Sequence, residues 1–177
     1  MILNDKPCAE SLREMKRLYH SAFPRCERKP FFMIKQLKSK GKAEILSIEI
    51  ESGEFIGLAI SVFYKDVVLL DYFAMSETVR GQGKGSEALK LLLKRYSDKR
   101  FLLEIENTEG ITDTSSEKIR RKSFYLKSGL KKADYNVMLF GVPMEILTDG
   151  SKVSFEEYSA LYRNAVGKRL ANRIKLL

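Results

Sequence analysis

A glycine-rich segment in the middle of the chain has the composition of an anion-binding loop. Arg80-Gly81-Gln82-Gly83-Lys84-Gly85 follows a run of branched and aromatic residues and precedes a run with helical spacing of apolar residues. A loop that enters a helix presents backbone N–H groups at the positive end of the helix dipole. Glycines let an anion approach this backbone, while Arg80, Lys84 and the hydroxyl of Ser86 add charge and a further donor. The segment therefore predicts a phosphate or pyrophosphate site.

The spacing of these glycines excludes two common nucleotide-binding motifs. An ATP-binding P-loop requires Gly-Lys followed by Ser or Thr, whereas Gly85 follows Lys84 in this chain. A dinucleotide fingerprint has the spacing Gly-x-Gly-x-x-Gly, whereas here a glycine stands at every second position. The loop alone does not separate an anion site from an ordinary helix-entry turn, so a second signal is needed.

That second signal is the segment from Arg121 to Leu130, which places the aromatic pair Phe124 and Tyr125 ahead of Gly129. The glycine loop matches the R/Q-x-x-G-x-G/A signature of the GNAT acyltransferase superfamily, and the downstream segment resembles its F-Y-x-x-x-G-F motif. Both motifs in this order are much more specific than either alone. The chain is therefore similar to GNAT proteins over about residues 8 to 148.

The resemblance implies a fold of the α/β (α+β) class. Its central sheet is expected to be mixed and mostly antiparallel, splayed between strands 4 and 5 and flanked by helices, with an extra C-terminal helix. The cosubstrate implied is acetyl-CoA, and no metal is expected. Its pantetheine arm would pair with the backbone of Ala74 and Met75. Its phosphates would lie on the loop, whose residues are Arg80, Gly81, Gln82, Gly83, Lys84, Gly85 and Ser86.

Apolar periodicity, capping signals and turn residues predict where the elements lie. The predicted helices cover residues 8–22, 30–41, 86–96, 114–127 and 154–167. The predicted strands cover residues 45–51, 55–64, 67–75, 101–106, 135–140 and 144–148. Two capping boxes, Thr114 to Glu117 and Ser154 to Glu157, are expected to open the last two helices.

Tyr125 is the candidate general acid. By the resemblance, it corresponds to the tyrosine that protonates the departing CoA thiolate in many GNAT proteins, a task that suits a phenol. The alternative is that Tyr125 is a core tyrosine whose hydroxyl reaches water. Replacing Tyr125 with Phe distinguishes the two roles.

A base is also expected, because an amine with a pKa of about 10.4 is almost fully protonated at pH 7. Glu104 and Glu106 alternate with Leu103 and Ile105, so both carboxylates face one side of a strand. The alternative is that they form ion pairs with Arg120 or Arg121 on a neighbouring helix. The two interpretations are left open here.

Two further acidic residues are candidates for binding the acceptor. In GNAT proteins the acceptor is commonly recognised by the first two helices and the loop between them, where this chain carries Glu27. Asp71, on the fourth strand, is a second candidate, either for this contact or as a base. The alternative is that the charged residues of this loop are simply exposed to water and do not bind the acceptor.

The chain departs from the GNAT pattern at two places. Lys118 and Arg121 stand where the family commonly has the Asn and Ala of an Asn-x-x-Ala pair, so the usual asparagine contact to the cofactor is missing. These basic residues are expected to contact CoA phosphates or acidic neighbours instead. Only Met1 to Leu3 remain for the family's first strand.

The 177 residues fit one acyltransferase domain. We expect a core at about 8–148, a C-terminal helix at about 154–167 and a solvated basic tail at 168–177. With no membrane-length apolar run and no recognisable secretory signal, a cytoplasmic location is predicted. Cys8 and Cys26 are expected to be reduced thiols, too few for a disulfide framework or metal site.

The sequence thus predicts an acetyl-CoA-dependent N-acetyltransferase in which the acceptor amine attacks the thioester directly. One alternative is a non-catalytic acyl-CoA-binding or regulatory module with the same fold. The net charge of +9 supports a second alternative, a basic nucleic-acid-binding or ribosome-binding protein. The expected partner is a small-molecule or peptide amine rather than nucleic acid or a membrane, and the protein is expected to be a monomer or homodimer.

Overall fold

The computed structural model describes residues 1–25 and 27–177, so the prediction for Cys26 lies outside the described residues. The helices are α1 (Ala9–Ala22), α2 (Phe31–Ser39), α3 (Lys84–Arg95), α4 (Glu117–Lys127), α5 (Phe155–Val166) and α6 (Lys168–Ala171). The strands are β1 (Ile2–Asn4), β2 (Ala43–Glu49), β3 (Phe55–Tyr64), β4 (Val67–Met75), β5 (Arg100–Glu106), β6 (Lys131–Leu139), β7 (Val142–Thr148) and β8 (Lys175–Leu176).

The eight strands form one sheet in the order β1-β2-β3-β4-β5-β7-β6-β8. The sheet is mostly antiparallel, with β4 parallel to β5, and helices flank it. This topology confirms the predicted fold class. The three-residue β1 is a paired strand, because Ile2 to Asn4 align antiparallel with Glu49 to Ser47 of β2.

Contacts divide the chain into two compact units. The first unit comprises Met1–Val62 and Leu70–Arg95, and the second comprises Phe63–Leu69 and Tyr96–Leu177. The dividing points fall inside β3 and β4, so these long strands contribute residues to both units.

The core of the first unit forms where α1 and α2 cover the sheet. Met15, Leu18 and Tyr19 recur at helical spacing on α1, and all three are buried in one cluster with Ile34 of α2. The strand residues that complete this cluster are Ile45, Leu58, Ile60, Tyr72 and Ala74. Proline begins α2, since Pro30 is its N-cap, and Gly41 follows its end with φ 67°.

The second unit is organised around α5. Its predicted capping box is formed, because the Ser154 hydroxyl accepts from the Glu157 amide while the Glu157 carboxylate accepts from the Ser154 amide. Tyr158, Leu161 and Tyr162 are all buried beneath the helix. Helix α5 is therefore capped at its N-terminus and has a buried face.

Two local predictions in the second unit are wrong. The capping box at Thr114 does not form: α4 begins at Glu117, and its N-cap Ser116 makes no side-chain capping bond. The Ser115 hydroxyl instead donates to Asp113 Oδ1 at 2.7 Å, so a local turn precedes the helix.

The basic tail is also not wholly solvated. It forms α6 and β8, whose Lys175 and Leu176 pair with Met138 and Val137 of β6. Ile174 is buried, as is Ala171. Charged residues dominate the sequence of the tail, but the two apolar residues Ala171 and Ile174 anchor it.

Candidate functional site

The glycine loop has the backbone that the sequence predicts. After β4, a short 3-10 turn at Glu77–Val79 leads into the loop, and α3 begins at Lys84. Gly81 and Gly83 have φ angles of 77° and 75°, in the left-handed region that costs other L-residues about 1–2 kcal/mol. No atom lies within 4 Å of the position of a Cβ at either glycine, so the backbone here is open to an approaching group.

Side chains of the loop fasten its ends and leave positive charge at its surface. The Arg80 Nε donates to the Met75 carbonyl at 3.3 Å, and the Gln82 Nε2 donates to the Thr78 carbonyl at 2.9 Å. The amides of Lys84 and Gly85 lie in the first helical turn, where no carbonyl four residues earlier belongs to the helix. Arg80 pairs with Glu77 at 3.5 Å and Lys84 with Glu87 at 3.1 Å, so an anion would share these cations with exposed carboxylates. The first-turn amides at the start of α3 fit an anionic group.

Ala74 and Met75 end β4 immediately before this loop. Their backbone lies unusually close to Gly57 of β3, because an added Cβ at Gly57 would be 2.7 Å from the Ala74 carbonyl oxygen and 2.9 Å from the Met75 Sδ. The Ser76 amide donates to the Ile56 carbonyl at 2.8 Å in the same region. Gly57 therefore permits the backbone position of the two residues expected to contact the pantetheine arm.

Tyr125 lies on α4 with 8% of its surface exposed. Burial raises the pKa of Tyr125 to about 12, and the positive charge of Arg121 offsets only part of this rise. The phenol therefore keeps its proton at physiological pH. The helix turn that holds it ends as predicted, since Gly129 has φ 96° and the Leu130 amide donates to the Tyr125 carbonyl at 3.2 Å.

The structure gives Glu104 and Glu106 different surroundings. Glu104 accepts hydrogen bonds from the hydroxyls of Tyr158 and Tyr162 on α5, the latter at 2.7 and 2.9 Å. Glu106 forms ion pairs with Lys118 Nζ at 2.7 Å and with Arg121 at 3.7 Å. Thus Lys118 and Arg121, which replace the family's Asn and Ala, contact an acidic neighbour.

Asp71 and Glu27 lie in the first unit with different accessibility. The Asp71 side chain is 6% exposed and accepts from Lys29 Nζ at 2.7 and 2.8 Å. Glu27 is exposed, and its backbone is held because its carbonyl accepts from the Tyr72 hydroxyl at 3.0 Å. Glu27 is therefore open to solvent, whereas Asp71 is occupied by Lys29.

The predicted site residues thus fall into two groups. The first unit holds Ala74, Met75, the loop from Arg80 to Ser86, Glu27 and Asp71. The second unit holds Tyr125, Glu104 and Glu106. Within each unit the structure brings neighbouring candidates together with partners that the sequence analysis did not identify.

The partners that were missed are Lys29, Gly57, Tyr158 and Tyr162. The spacing of four residues between Tyr158 and Tyr162 predicts that they share one helix face. This spacing does not indicate that Glu104 accepts hydrogen bonds from both hydroxyls. Lys29 is one of 32 Lys and Arg residues, and nothing in its local sequence distinguishes it. A glycine inside a strand is the recognisable sign at Gly57.

No metal centre or membrane span is found in the described part of the chain. Within residues 1–25 and 27–177, no group of three or more His, Cys, Asp or Glu side chains could hold a metal ion. In the same residues, none of the helices is both long and apolar enough to cross a membrane.

Comparison with known proteins places this fold and loop in a family. The sequence profile of the acetyltransferase (GNAT) family matches residues 10–113, more than half of the chain. The chain belongs to the GNAT acetyltransferase family, and its cosubstrate is acetyl-CoA. No curated protein sequence matches it.

Solved structures agree on the fold at low sequence identity. A Bacteroides thetaiotaomicron protein described as a GNAT-family acetyltransferase is 16% identical, covers 95% of this chain and 99% of its own, and has a TM-score of 0.75. An aminoglycoside 6'-N-acetyltransferase complexed with coenzyme A is 13% identical, with 87% and 100% coverage and a TM-score of 0.63. A spermidine N-acetyltransferase chimera from Vibrio cholerae and hSSAT is 12% identical, with 84% and 96% coverage and a TM-score of 0.63.

Proposed function

We propose that the chain transfers the acetyl group of acetyl-CoA to a primary amine by direct attack. The amine nitrogen forms a bond to the thioester carbonyl carbon, the C–S bond breaks, and the amine loses one proton while the thiolate gains one. Family membership, the anion-binding loop and the protonated Tyr125 together support this reaction. The buried, protonated tyrosine carries the argument for catalysis, because the loop alone supports only binding.

The loop from Arg80 to Ser86 would hold the phosphates of the cosubstrate. Its open glycine backbone and first-turn amides supply hydrogen-bond donors, and Arg80 and Lys84 supply positive charge. The side chains of these two residues are 53% and 37% exposed, so a ligand can reach them. The backbone of Ala74 and Met75 would align the pantetheine arm through hydrogen bonds of strand type.

Tyr125 would donate a proton to the departing thiolate. Burial ensures that the phenol is neutral before the reaction, so it carries a proton that it can share with the negative charge developing on the sulfur. The reaction needs no covalent enzyme intermediate. The described cysteine, Cys8, is the N-cap residue of α1.

We propose Glu106, in preference to Glu104, as the general base that deprotonates the amine. Both oxygens of Glu104 already accept hydrogen bonds from the Tyr162 hydroxyl, and Tyr158 donates to one of them, so an amine would have to compete with these hydroxyls. The Glu106 side chain is 28% exposed, which leaves room for an amine or a bridging water. Its cationic partners Lys118 and Arg121 both lie on α4.

The acceptor class is a small-molecule or peptide amine. The similar structures include enzymes named for spermidine and for aminoglycosides, which are amine acceptors. Glu27 is the exposed carboxylate proposed to contact the acceptor amine, with Asp71 as a second candidate if Lys29 moves. The cytoplasmic location and the single-domain organisation remain predictions.

Replacement of Tyr125 by Phe tests the proposal. The variant keeps the buried ring and removes the acid, so kcat should fall about 100-fold, the scale of general acid catalysis, with little change in KM for acetyl-CoA. Tyr64→Phe removes a tyrosine hydroxyl at the end of β3 and serves as the control. The assay follows CoA release with a panel of amines.

The outcomes separate the proposal from its alternatives. Unchanged turnover in a folded Tyr125→Phe protein would remove the catalytic role of the tyrosine. Thermal stabilisation by acetyl-CoA without transfer to any amine in the panel would indicate a non-catalytic acyl-CoA-binding module. RNA or DNA affinity that falls steeply with salt, without acetyl-CoA binding, would favour the nucleic-acid alternative.

A further inference from the structure

Most of the net charge of the protein is concentrated in its first two helices and the segment that joins them. Residues 9–42 contain ten Lys and Arg but three Asp and Glu, a net charge of +7 out of +9 for the whole chain. The remaining residues are close to neutral. Residues 118–132 also carry seven Lys and Arg, but there Lys118 pairs with Glu106 and Lys122 with Glu145. The first two helices therefore offer positive charge that can attract an anion over a distance.

The basic residues of α1 lie on one face of the helix. Arg13, Lys16 and Arg17 are exposed and follow the spacing i, i+3, i+4 that brings side chains together on a helix surface. The opposite face carries Met15, Leu18 and Tyr19, which are buried in the core. On α2, Lys35 and Lys38 are exposed in the same way. We call Arg13, Lys16, Arg17, Lys35 and Lys38 the basic surface.

The members of the basic surface differ from several other cations of the described chain in their lack of ion pairs. Among the residues that the structure describes, no ion pair involves any member of the basic surface. Elsewhere ion pairs are frequent, as Arg95 with Glu44 and Arg100 with Asp66 and Glu157 show. Two members of the basic surface contact uncharged groups instead. Lys16 Nζ lies 5.9 Å from the Phe31 ring centroid, and Lys38 Nζ donates to the Asp5 carbonyl.

The acidic group best placed to receive an ammonium in this unit is already occupied. Lys29 Nζ binds both oxygens of Asp71. A polycationic acceptor would therefore meet repulsion from the basic surface, and Asp71 could compensate only after releasing Lys29. Like charges brought together at an interface oppose binding, so this part of the first unit disfavours polyamines.

We propose that the acceptor amine belongs to an acidic polypeptide that docks on the basic surface. The inference rests on the proposed function, because it specifies the substrate class of the same acetyl transfer. Acidic side chains of this polypeptide would pair with Arg13, Lys16, Arg17, Lys35 and Lys38. The exposed carboxylate of Glu27 would contact the acceptor amine of the same polypeptide. Phe32, 71% exposed on α2, offers an apolar contact beside these charges.

The geometry favours a polypeptide over other anionic partners. The five cations of the basic surface belong to two helices, α1 and α2, whereas a small anionic metabolite has room to pair with only one or two of them. A membrane surface is disfavoured because the apolar face of α1 is buried in the core. Nucleic acid is disfavoured because Phe32 is a single exposed aromatic ring on these helices, whereas stacking surfaces use several, and because base amino groups are poor nucleophiles.

Binding of a defined probe tests the docking surface without relying on catalysis. Fluorescence anisotropy would compare a Glu-rich peptide, its Gln-substituted analogue and a Lys-rich analogue, each with a free N-terminal amine and the same C-terminal label. The Glu-rich peptide should bind at least about 10-fold more tightly than the Gln analogue at low salt, with the difference lost near 0.5 M NaCl because exposed charges are screened.

A matched pair of triple variants locates the effect. Arg13→Gln, Lys16→Gln and Arg17→Gln together should weaken binding of the Glu-rich peptide about 10-fold, since each exposed charge contributes modestly. The control variant combines Arg163→Gln, Lys168→Gln and Arg169→Gln, which remove the same number of charges from exposed positions in the second unit. It should change the affinity for the Glu-rich peptide less than about 2-fold. Both variants should keep the wild-type thermal stabilisation by acetyl-CoA.

The activity assay then distinguishes the two proposals. Acetylation of the Glu-rich peptide with a kcat/KM above those of its analogues and spermidine supports the inference. Equal acetylation of all peptides, preference for spermidine, or equal effects of the two triple variants overturns it while leaving acetyl transfer intact. Tighter binding of an aminoacylated RNA or of anionic vesicles than of the Glu-rich peptide also overturns it. Absence of transfer to every amine refutes the proposed function instead.

Discussion

Glu145 shows how a single buried charge can be stabilised by its neighbours. Its side chain is 1% exposed, yet it accepts from the Thr108 amide at 2.9 Å, from the Thr108 hydroxyl at 2.7 Å and from Lys122 Nζ at 2.6 Å. Burial opposes ionisation, but the hydrogen bonds from Lys122 and Thr108 outweigh it and lower the pKa of Glu145 to about 2. Glu145 is therefore ionised in the folded protein.

The lowered pKa predicts an acid-dependent loss of stability. Because the folded value lies below the ordinary value of 4.5, the carboxylate contributes stability that is full above pH 4.5 and disappears as the pH falls towards 2. The contribution is on the order of 3 kcal/mol. Urea unfolding of Glu145→Gln should show a loss of this size at pH 7, and the difference from wild type should shrink between pH 4.5 and 2. A difference independent of pH would contradict the assignment.

Tyr135 presents the opposite case, a buried polar atom without a partner. Its hydroxyl is inaccessible to solvent and has no hydrogen-bond partner among the described residues. Burial, followed by the charge of Glu104, raises the pKa of Tyr135, so the hydroxyl is neutral. Removing an unsatisfied hydroxyl saves a desolvation cost, so Tyr135→Phe should stabilise the fold by about 1 kcal/mol in urea unfolding. A destabilised variant would indicate that the hydroxyl has a partner.

At the scale of elements, the critical contact is between β3 and the end of β4. Gly57→Ala would place a methyl group 2.7 Å from the Ala74 carbonyl, closer than a methyl group tolerates. Backbone must then shift, at a cost of about 1–3 kcal/mol. If the Ala74 and Met75 backbone aligns the pantetheine arm, KM for acetyl-CoA should rise together with the loss of stability.

Gly53→Ala provides the control for this experiment. Gly53 has φ 86° and no atom within 4 Å of a Cβ, so alanine there strains the turn without disturbing β4. The control should lose stability and keep its KM for acetyl-CoA. If Gly57→Ala also keeps its KM, the proposed contribution of this part of β4 to cofactor binding is incorrect.

At the scale of the whole molecule, the C-terminal tail is both basic and partly buried. Residues 168–177 are basic, yet Ala171 and Ile174 are 2% and 5% exposed and β8 extends the sheet beside β6. Burial of a side chain the size of isoleucine contributes about 1.5–3 kcal/mol. The tail therefore belongs to the folded structure of the second unit.

Truncation after Gly167 should consequently lower the melting temperature by about 3–12 °C, since about 1 kcal/mol corresponds to 2–4 °C for a protein of this size. Lys168→Gln with Arg169→Gln removes exposed charge and preserves the buried residues. Differential scanning calorimetry should show the shift for the truncation and almost none for the charge variant. Equal melting temperatures for truncated and full chains would show that the tail adds no stability.

The sequence by itself determined what depends on neighbouring residues. The glycine spacing predicted the loop, and Gly81 and Gly83 adopt the left-handed conformation that makes glycine necessary there. Most helix ends followed from local signals such as Pro30 and the Ser154 box. Together with the segment around Tyr125, these local features were enough to predict the family and the fold class.

The tertiary structure decided which side chains become partners. Asp71 is paired with a lysine 42 positions away, and Glu104 with tyrosines 54 and 58 positions away. With 32 basic and 23 acidic side chains, local sequence does not select one pair over another. Such pairs form only after the strands and helices have brought distant positions together, because a salt bridge or hydrogen bond acts over a few ångströms of space and not along the chain.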